Sequence, residues 1–242
     1  MTDFLAWRRL SRWLRPPSLA ISIPMDVVDA IIAECGAHPW FGYIIRSRTE
    51  RQELASASRW IVSNIGNRAR IFETGCGCGS NLIWLGQRGY RNLSGVDISE
   101  SAISAARRLS AFAKLRIAVE VGDSLDPQLQ AHAIDILLAL NWTYYLEDFD
   151  LGRFFRTYRP FLANGGKVIL DMIDKSFDGT DNNQYHTADW DKPEVGRRPS
   201  EYKVRMSRDE VAAVAAESGL RVCVVLNGGS MPPRLVYIIG NT

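Results

Sequence analysis

The residues best suited to chemistry are Glu73, Gly75, Gly77 and Gly79, in the run Glu73-Thr74-Gly75-Cys76-Gly77-Cys78-Gly79-Ser80-Asn81. Glycine at every second position lets the backbone bend and come close to a ligand, since no Cβ intervenes. Ser80 and Asn81 then open a segment with apolar residues at helical spacing, and a helix N-terminus offers unpaired N–H groups to an electron-rich group. Two further acids close apolar runs, Asp97 after Gly95-Val96 and Asp123 after Val121-Gly122, and a fourth apolar run, Ile134 to Leu140, ends in Asn141. Asp97 lies about 20 residues past the glycine turn, where nucleotide-binding folds place an acid that accepts hydrogen bonds from ribose hydroxyls.

Strands and helices must alternate to bring these positions together. Arg70 to Thr74, Asn92 to Asp97, Arg116 to Val121, Ile134 to Leu140 and Lys167 to Ile173 read as strands, the fourth nearly all apolar, as a strand buried on both faces should be. Helices are predicted at residues 80–87, 100–109 and 151–160. Ser207 and Glu210 form a capping box opening another, closed by Gly219. Two last strands, Arg221 to Leu226 and Arg234 to Ile239, are joined through Asn227-Gly-Gly-Ser-Met-Pro-Pro. The prediction is an α/β fold: a Rossmann-like, mostly parallel seven-stranded sheet with a C-terminal antiparallel hairpin, helices on both faces and a helical N-terminal cap. Its boundaries are a cap at residues 1–66 and a catalytic-type domain at 67–242, with a polar loop insertion at about 174–206.

A glycine triplet by itself also suits a nicotinamide-binding turn or a plain strand-to-helix turn. The order acidic-x-G-x-G-x-G, however, resembles the first motif of class I S-adenosylmethionine-dependent methyltransferases. It fits the dinucleotide pattern G-x-G-x-x-G less well, because Ser80 stands three positions beyond Gly77. The terminal hairpin resembles the end of the same fold, so the likeness covers about residues 68–240. It implies transfer of a methyl group from S-adenosyl-L-methionine, leaving S-adenosyl-L-homocysteine, to a hydroxyl or amine of a small molecule or glycan. A catalytically silent fold member acting as a binding or activating subunit, and a nicotinamide-dependent oxidoreductase, are the competing functions.

The resemblance also implies site residues. Glu73, Thr74, Gly75, Cys76, Gly77, Gly79 and Asn81 form the bend around the cofactor, with Asp97 and Ile98 at the ribose, Asp123 and Ser124 at the adenine, and Leu140 and Asn141 closing strand four. Residues 24–64 read as helical, and as a cap they place Tyr43 and Arg46 at the cofactor's methionine carboxylate; as core helix, those arginines face water. Trp142, Tyr144, Tyr185 and Trp190 offer an aromatic wall for a sugar or flat ring, or belong to the core. Tyr145 occupies what resembles a family histidine position, and His186, in the loop after strand five, is the first choice for a general base. Trp142 and Thr143 replace the two prolines found where the resembling nucleic-acid amino methyltransferases carry an Asn-Pro-Pro-aromatic turn, which argues against a nucleic-acid substrate.

Bulk properties agree with that class. The chain has 242 residues, 46% hydrophobic and 23% charged, and its net charge of +2 gives no global field for nucleic acid. Cys76-x-Cys78 lacks metal-site spacing, and the acids Asp171, Asp174, Asp178 and Asp181 meet Asn141 where a catechol-type magnesium site would want an acid, so no metal is expected. Four cysteines, two inside a tight turn, suit a reduced, cytoplasmic setting. Residues 1–17 carry Phe4, Trp7, Leu10, Trp13 and Leu14 among four arginines. If helical, they could rest weakly on an anionic membrane surface, or pack on the domain or a second copy.

Overall fold

The computed structural model describes residues 18–130 and 132–241. The amphipathic reading of residues 1–17 lies outside them. Three helices precede the sheet: α1 (Met25–Glu34), α2 (Trp40–Arg46) and α3 (Gln52–Asn64), with a 3₁₀ turn at Ser47–Thr49 between the last two. The single helical stretch expected at residues 24–64 is thus broken, at Gly36 with φ +64° and again at Ser47.

The strands are β1 (Arg70–Thr74), β2 (Asn92–Asp97), β3 (Ala118–Val121), β4 (Ile134–Ala139), β5 (Leu162–Asp174), β6 (Arg205–Met206), β7 (Leu220–Asn227) and β8 (Arg234–Asn241). Between them lie α4 (Ser80–Gly86), α5 (Glu100–Phe112), α6 (Leu151–Tyr158) and α7 (Arg208–Glu217). The sheet order is β3-β2-β1-β4-β5-β8-β7, with β8 antiparallel to both neighbours and β1 to β5 parallel. The expected seven strands are joined by an eighth, since β6 pairs in parallel with the end of β5, Ile173 opposite Arg205. It lies beyond the last β4 partner, Ala139 opposite Leu170, and so pins the end of the loop insertion above β4.

Strand alternation divides the apolar residues between two layers. In β4, Ile136 and Leu138 join one core with Leu82 and Ile83 of α4, Ile103 of α5 and Ile238 of β8. Leu137 and Ala139 face the other, with Phe154 and Phe155 of α6, Val211 of α7 and Leu170 of β5. Leu54, Ala57 and Ile61 of α3 belong to the first core, so the N-terminal segment is packed into the same body as the sheet. The capping box forms as read: Ser207 Oγ accepts from Glu210 N at 3.2 Å, and Glu210 Oε2 accepts from Ser207 N at 2.8 Å. Among the described residues no helix is long and apolar enough to cross a membrane.

Parallel strands joined by right-handed crossovers open a crevice at their carboxyl ends where the order reverses, here between β1 and β4. Leu138, 1% exposed at that centre, should be costly to truncate. Leu138→Ala is expected to lose about 2–5 kcal/mol of stability, read as a lower midpoint in urea denaturation.

Candidate functional site

A cavity of about 540 Å³ opens at that crevice and is lined by Glu73, Gly75, Cys76, Gly77, Asn81, Asp97, Ile98, Asp123, Ser124, Leu140, Asn141, Trp142 and Tyr145, among others. The three strand-end acids therefore border one space. Gly75 and Gly77 adopt φ of +59° and +50°. A Cβ would fall 2.7 Å from Trp142 at the first and 2.6 Å from Phe41 at the second, so side-chain-free backbone is required there for both reasons. Asp97 braces the turn: Oδ2 accepts from Gly77 N at 2.8 Å and Oδ1 from Ser99 N at 2.9 Å. Ser124 Oγ accepts from Gly75 N at 3.0 Å, and Asp123 Oδ1 from Leu125 N at 2.7 Å. Thr74 and Gly79 support the bend without lining the cavity: Thr74 is buried with its hydroxyl on Leu138 O, and Gly79 caps α4 in a left-handed conformation.

At the cavity floor Glu73 Oε1 accepts from Asn81 Nδ2 at 2.5 Å, while Oε2 is buried without a partner. Burial pushes the Glu73 carboxyl up to about 8 against the help of Asn81 and Arg48. Arg48, from the 3₁₀ turn after α2, donates to Asn81 Oδ1 and lies over the Trp84 ring at 5.5 Å. Burial lowers its guanidinium to about 10.

The cap needs correction in detail. Arg46 pairs with Asp29 at 2.7 Å and Tyr43 is exposed, so neither borders the first cavity. In α2 the faces run the other way: Trp40, Phe41, Ile44 and Ile45 line it instead. Arg48 was missed because only its distant partners Asn81, Ser58 and Trp84 distinguish it from Arg46.

A second cavity of about 900 Å³ adjoins the first and shares Trp40, Phe41 and Tyr145 with it. Its other walls include Arg51, Glu53, His186, Glu201, Tyr202, Met231 and Arg234. Asn141 stands beside the junction. Its φ is +67°, its backbone N donates to Asp171 Oδ1 at 2.7 Å, and its Oδ1 accepts from Arg51 Nη1, Tyr144 Oη and Arg234 Nη1 at 2.9, 3.0 and 3.1 Å. Three donors fix the amide, leaving Nδ2 without a partner among the described residues. Asp171, wholly buried beneath, has its carboxyl pushed up to about 6 by burial.

Of the expected aromatic wall, Trp142 lines the first cavity, and Tyr144, Tyr185 and Trp190 line neither of these two. Tyr144 is fully buried, its hydroxyl committed to Asn141 and Asp171. Tyr185 and Trp190 brace the insertion: Tyr185 donates to Glu194 at 2.6 Å, and Trp190 donates to Tyr185 O and packs on Phe177. His186 does reach the second cavity, but its Nδ1 accepts from Ala188 N at 3.1 Å. The proton of the neutral ring then sits on Nε2, which leaves no free lone pair for a base. Tyr145 borders both cavities, and burial pushes its phenol up to about 12, so at neutral pH it is a donor and not a base.

The crevice, glycine bend and strand-end acids thus meet at the switch point of a Rossmann-like sheet. A family described as a methyltransferase domain matches residues 71–166. The chain is 28% identical over 101 residues to the zebrafish (Danio rerio) EEF1A lysine methyltransferase 2, covering 41% of this chain and 40% of that protein. It therefore spans well under half of that relative's length. Among solved structures it resembles the PH0226 protein of Pyrococcus horikoshii OT3, with a TM-score of 0.64, 17% identity and coverage of 81% of this chain and 92% of that one. It also resembles magnesium protoporphyrin IX methyltransferase of Synechocystis PCC 6803 with bound SAH, with a TM-score of 0.60, 13% identity and coverage of 90% and 83%. Residues 71–166 thus match a methyltransferase domain, and the solved structures share the fold around it.

Two outcomes follow. Asp97→Ala is expected to weaken S-adenosylhomocysteine binding by about 1–3 kcal/mol in calorimetric titration, since a charged acceptor is lost along with the brace on Gly77. In the ligand-free protein Glu73, raised from 4.5 to about 8, holds a proton that the unfolded chain gives up. Its contribution is fully present below 4.5 and lost as pH rises through about 8, so stability falls across that window. Urea denaturation of Glu73→Gln across the same range should show a flatter profile than the parent.

Proposed function

We propose that the chain transfers a methyl group from S-adenosylmethionine to a hydroxyl or amine of a small molecule or glycan, with cofactor in the first cavity and acceptor in the second. The observation that carries this reading is the common wall: Trp40, Phe41 and Tyr145 border both spaces, so two ligands can meet end to end. When bound, the cofactor supplies a methyl group already activated on a sulfonium. The protein's part is alignment and exclusion of water, which near attack distance is worth several kcal/mol.

The residues present fit the cofactor. Glu73 Oε2, buried and unpartnered, suits an ammonium at its amino-acid end. Gly75 and Gly77 allow close passage, Asp97 keeps carboxylate lone pairs for ribose hydroxyls, and Asp123 and Ser124 stand where an adenine edge would lie. Arg48 holds Asn81, and through it Glu73, in register. Trp142 walls the donor space; Arg51, Glu53, Tyr202 and Arg234 wall the acceptor space. The zebrafish relative is named for methylation of a lysine, an amine, which supports keeping amines within the acceptor class.

Thermal denaturation tests the reading. S-adenosylmethionine and S-adenosylhomocysteine should each raise the melting temperature at a hundredfold excess over Kd, by the equivalent of about 2.7 kcal/mol, and NAD should not. A shift with NAD alone would overturn it.

A further inference from the structure

Among the described residues, Glu53 is the one acid in the second cavity whose carboxylate is both buried and locked in place. It lies in the first turn of α3, and its Oε1 accepts from Arg234 Nη1 at 3.0 Å and from Arg51 Nη1 at 3.4 Å. The same two guanidiniums hold Asn141 Oδ1, so Glu53 is fixed beside the junction of the cavities. Its Oε2 receives no hydrogen bond from the described residues, yet it is not among the sealed, unpartnered atoms. That oxygen therefore keeps accessible surface, and the cavity is the space that Glu53 lines.

Three features of this cavity discriminate among acceptors. Among the described residues that line it, Glu50, Glu53 and Glu201 outnumber Arg51 and Arg234, which disfavours an acceptor carrying a carboxylate or phosphate. A hydroxyl needs a base to take its proton as it attacks. Both imidazoles of the cavity accept a backbone N–H at Nδ1, His38 from Trp40 and His186 from Ala188, each at 3.1 Å, and the Tyr145 phenol keeps its proton. A neutral amine already has its lone pair and needs only an acceptor for the positive charge that grows on nitrogen. Phe41, Trp40 and Tyr145, at the shared wall, add aromatic faces that attract a cationic nitrogen.

We propose that the acceptor is a primary or secondary amine and that Glu53 Oε2 is the catalytic group that meets its nitrogen. This rests on reading the second cavity as the acceptor's. The nitrogen lone pair forms the new C–N bond as the C–S bond breaks and its electron pair stays on sulfur. The ammonium so formed donates a hydrogen bond to Glu53 Oε2, which offsets its charge, and carries its extra proton out or yields it to water. With its Oε1 held by two arginines, the Glu53 side chain is aligned before charge develops and need not reorganise.

The test uses the protein saturated with S-adenosylhomocysteine and three probes matched in shape: phenethylamine, phenethyl alcohol and phenylacetate, titrated calorimetrically in mildly alkaline buffer. The amine should bind at least about tenfold tighter than the other two, the span of one hydrogen bond to a charged group. Glu53→Gln should remove that preference with S-adenosylhomocysteine affinity unchanged, and Glu201→Gln should keep it. Equal or tighter binding of the alcohol or the acid, no binding of the amine, or a preference that survives Glu53→Gln or vanishes in Glu201→Gln overturns the proposal. Should Glu53→Gln fail to fold, the ranking in the parent protein decides. Failure of S-adenosylhomocysteine to bind at all defeats the donor reading instead, and is seen before any probe is added.

Discussion

The amide of Asn141 is the joint on which the site turns. It sits just past β4, where the parallel strand gives way to a left-handed residue whose backbone N–H is held by buried Asp171. Its side-chain oxygen gathers one donor from the N-terminal segment, one from β8 and one from the turn after β4. Two pieces of chain lying 90 residues before and 93 residues after Asn141 are thereby fixed against the turn after β4 at the boundary of the two cavities. A single neutral acceptor can hold two guanidiniums because Glu53 and Asp171 supply the opposing charge nearby. Without those acids, burying Arg234 there would be strongly unfavourable.

The same logic separates the two ends of the donor cavity. At Glu73 and Arg48 burial dominates: both groups are displaced toward their neutral forms, and each keeps an unpartnered atom. At Asp97 the carboxylate accepts from two backbone N–H groups of the turn it braces and keeps a lone pair on each oxygen. One end is thus an electrostatic vacancy that a charged group would fill, and the other is a hydrogen-bonded frame with acceptors to spare. Preorganisation of this kind keeps ligand alignment from depending on flexible side chains.

Much of this was legible in the chain because it is local. Glu73, Asp97 and Asp123 end strands, and parallel strands deliver their ends to one edge whatever the details of packing. The capping box of Ser207 and Glu210 and the reversed last strand were legible for the same reason. The acceptor side was not. Tyr144 and Tyr145 are adjacent, and only the fold decides that the first is sealed by Asp171 and the second borders both cavities. Glu53 and Arg234 are 181 residues apart, and no spacing rule pairs them. In α2 the apolar residues Phe41, Ile44 and Ile45 mark the face turned to the first cavity, so Tyr43 and Arg46 point elsewhere.

Phe41 lies against the glycine bend and also walls the neighbouring chamber. A ring that is a surface of two rooms cannot shift for one occupant without reshaping the other. Any ligand that displaces it in the donor room changes the room offered to its counterpart, and the reverse holds with equal free energy. Such thermodynamic reciprocity needs no distant relay in this chain, because one benzyl group touches both sides of the partition.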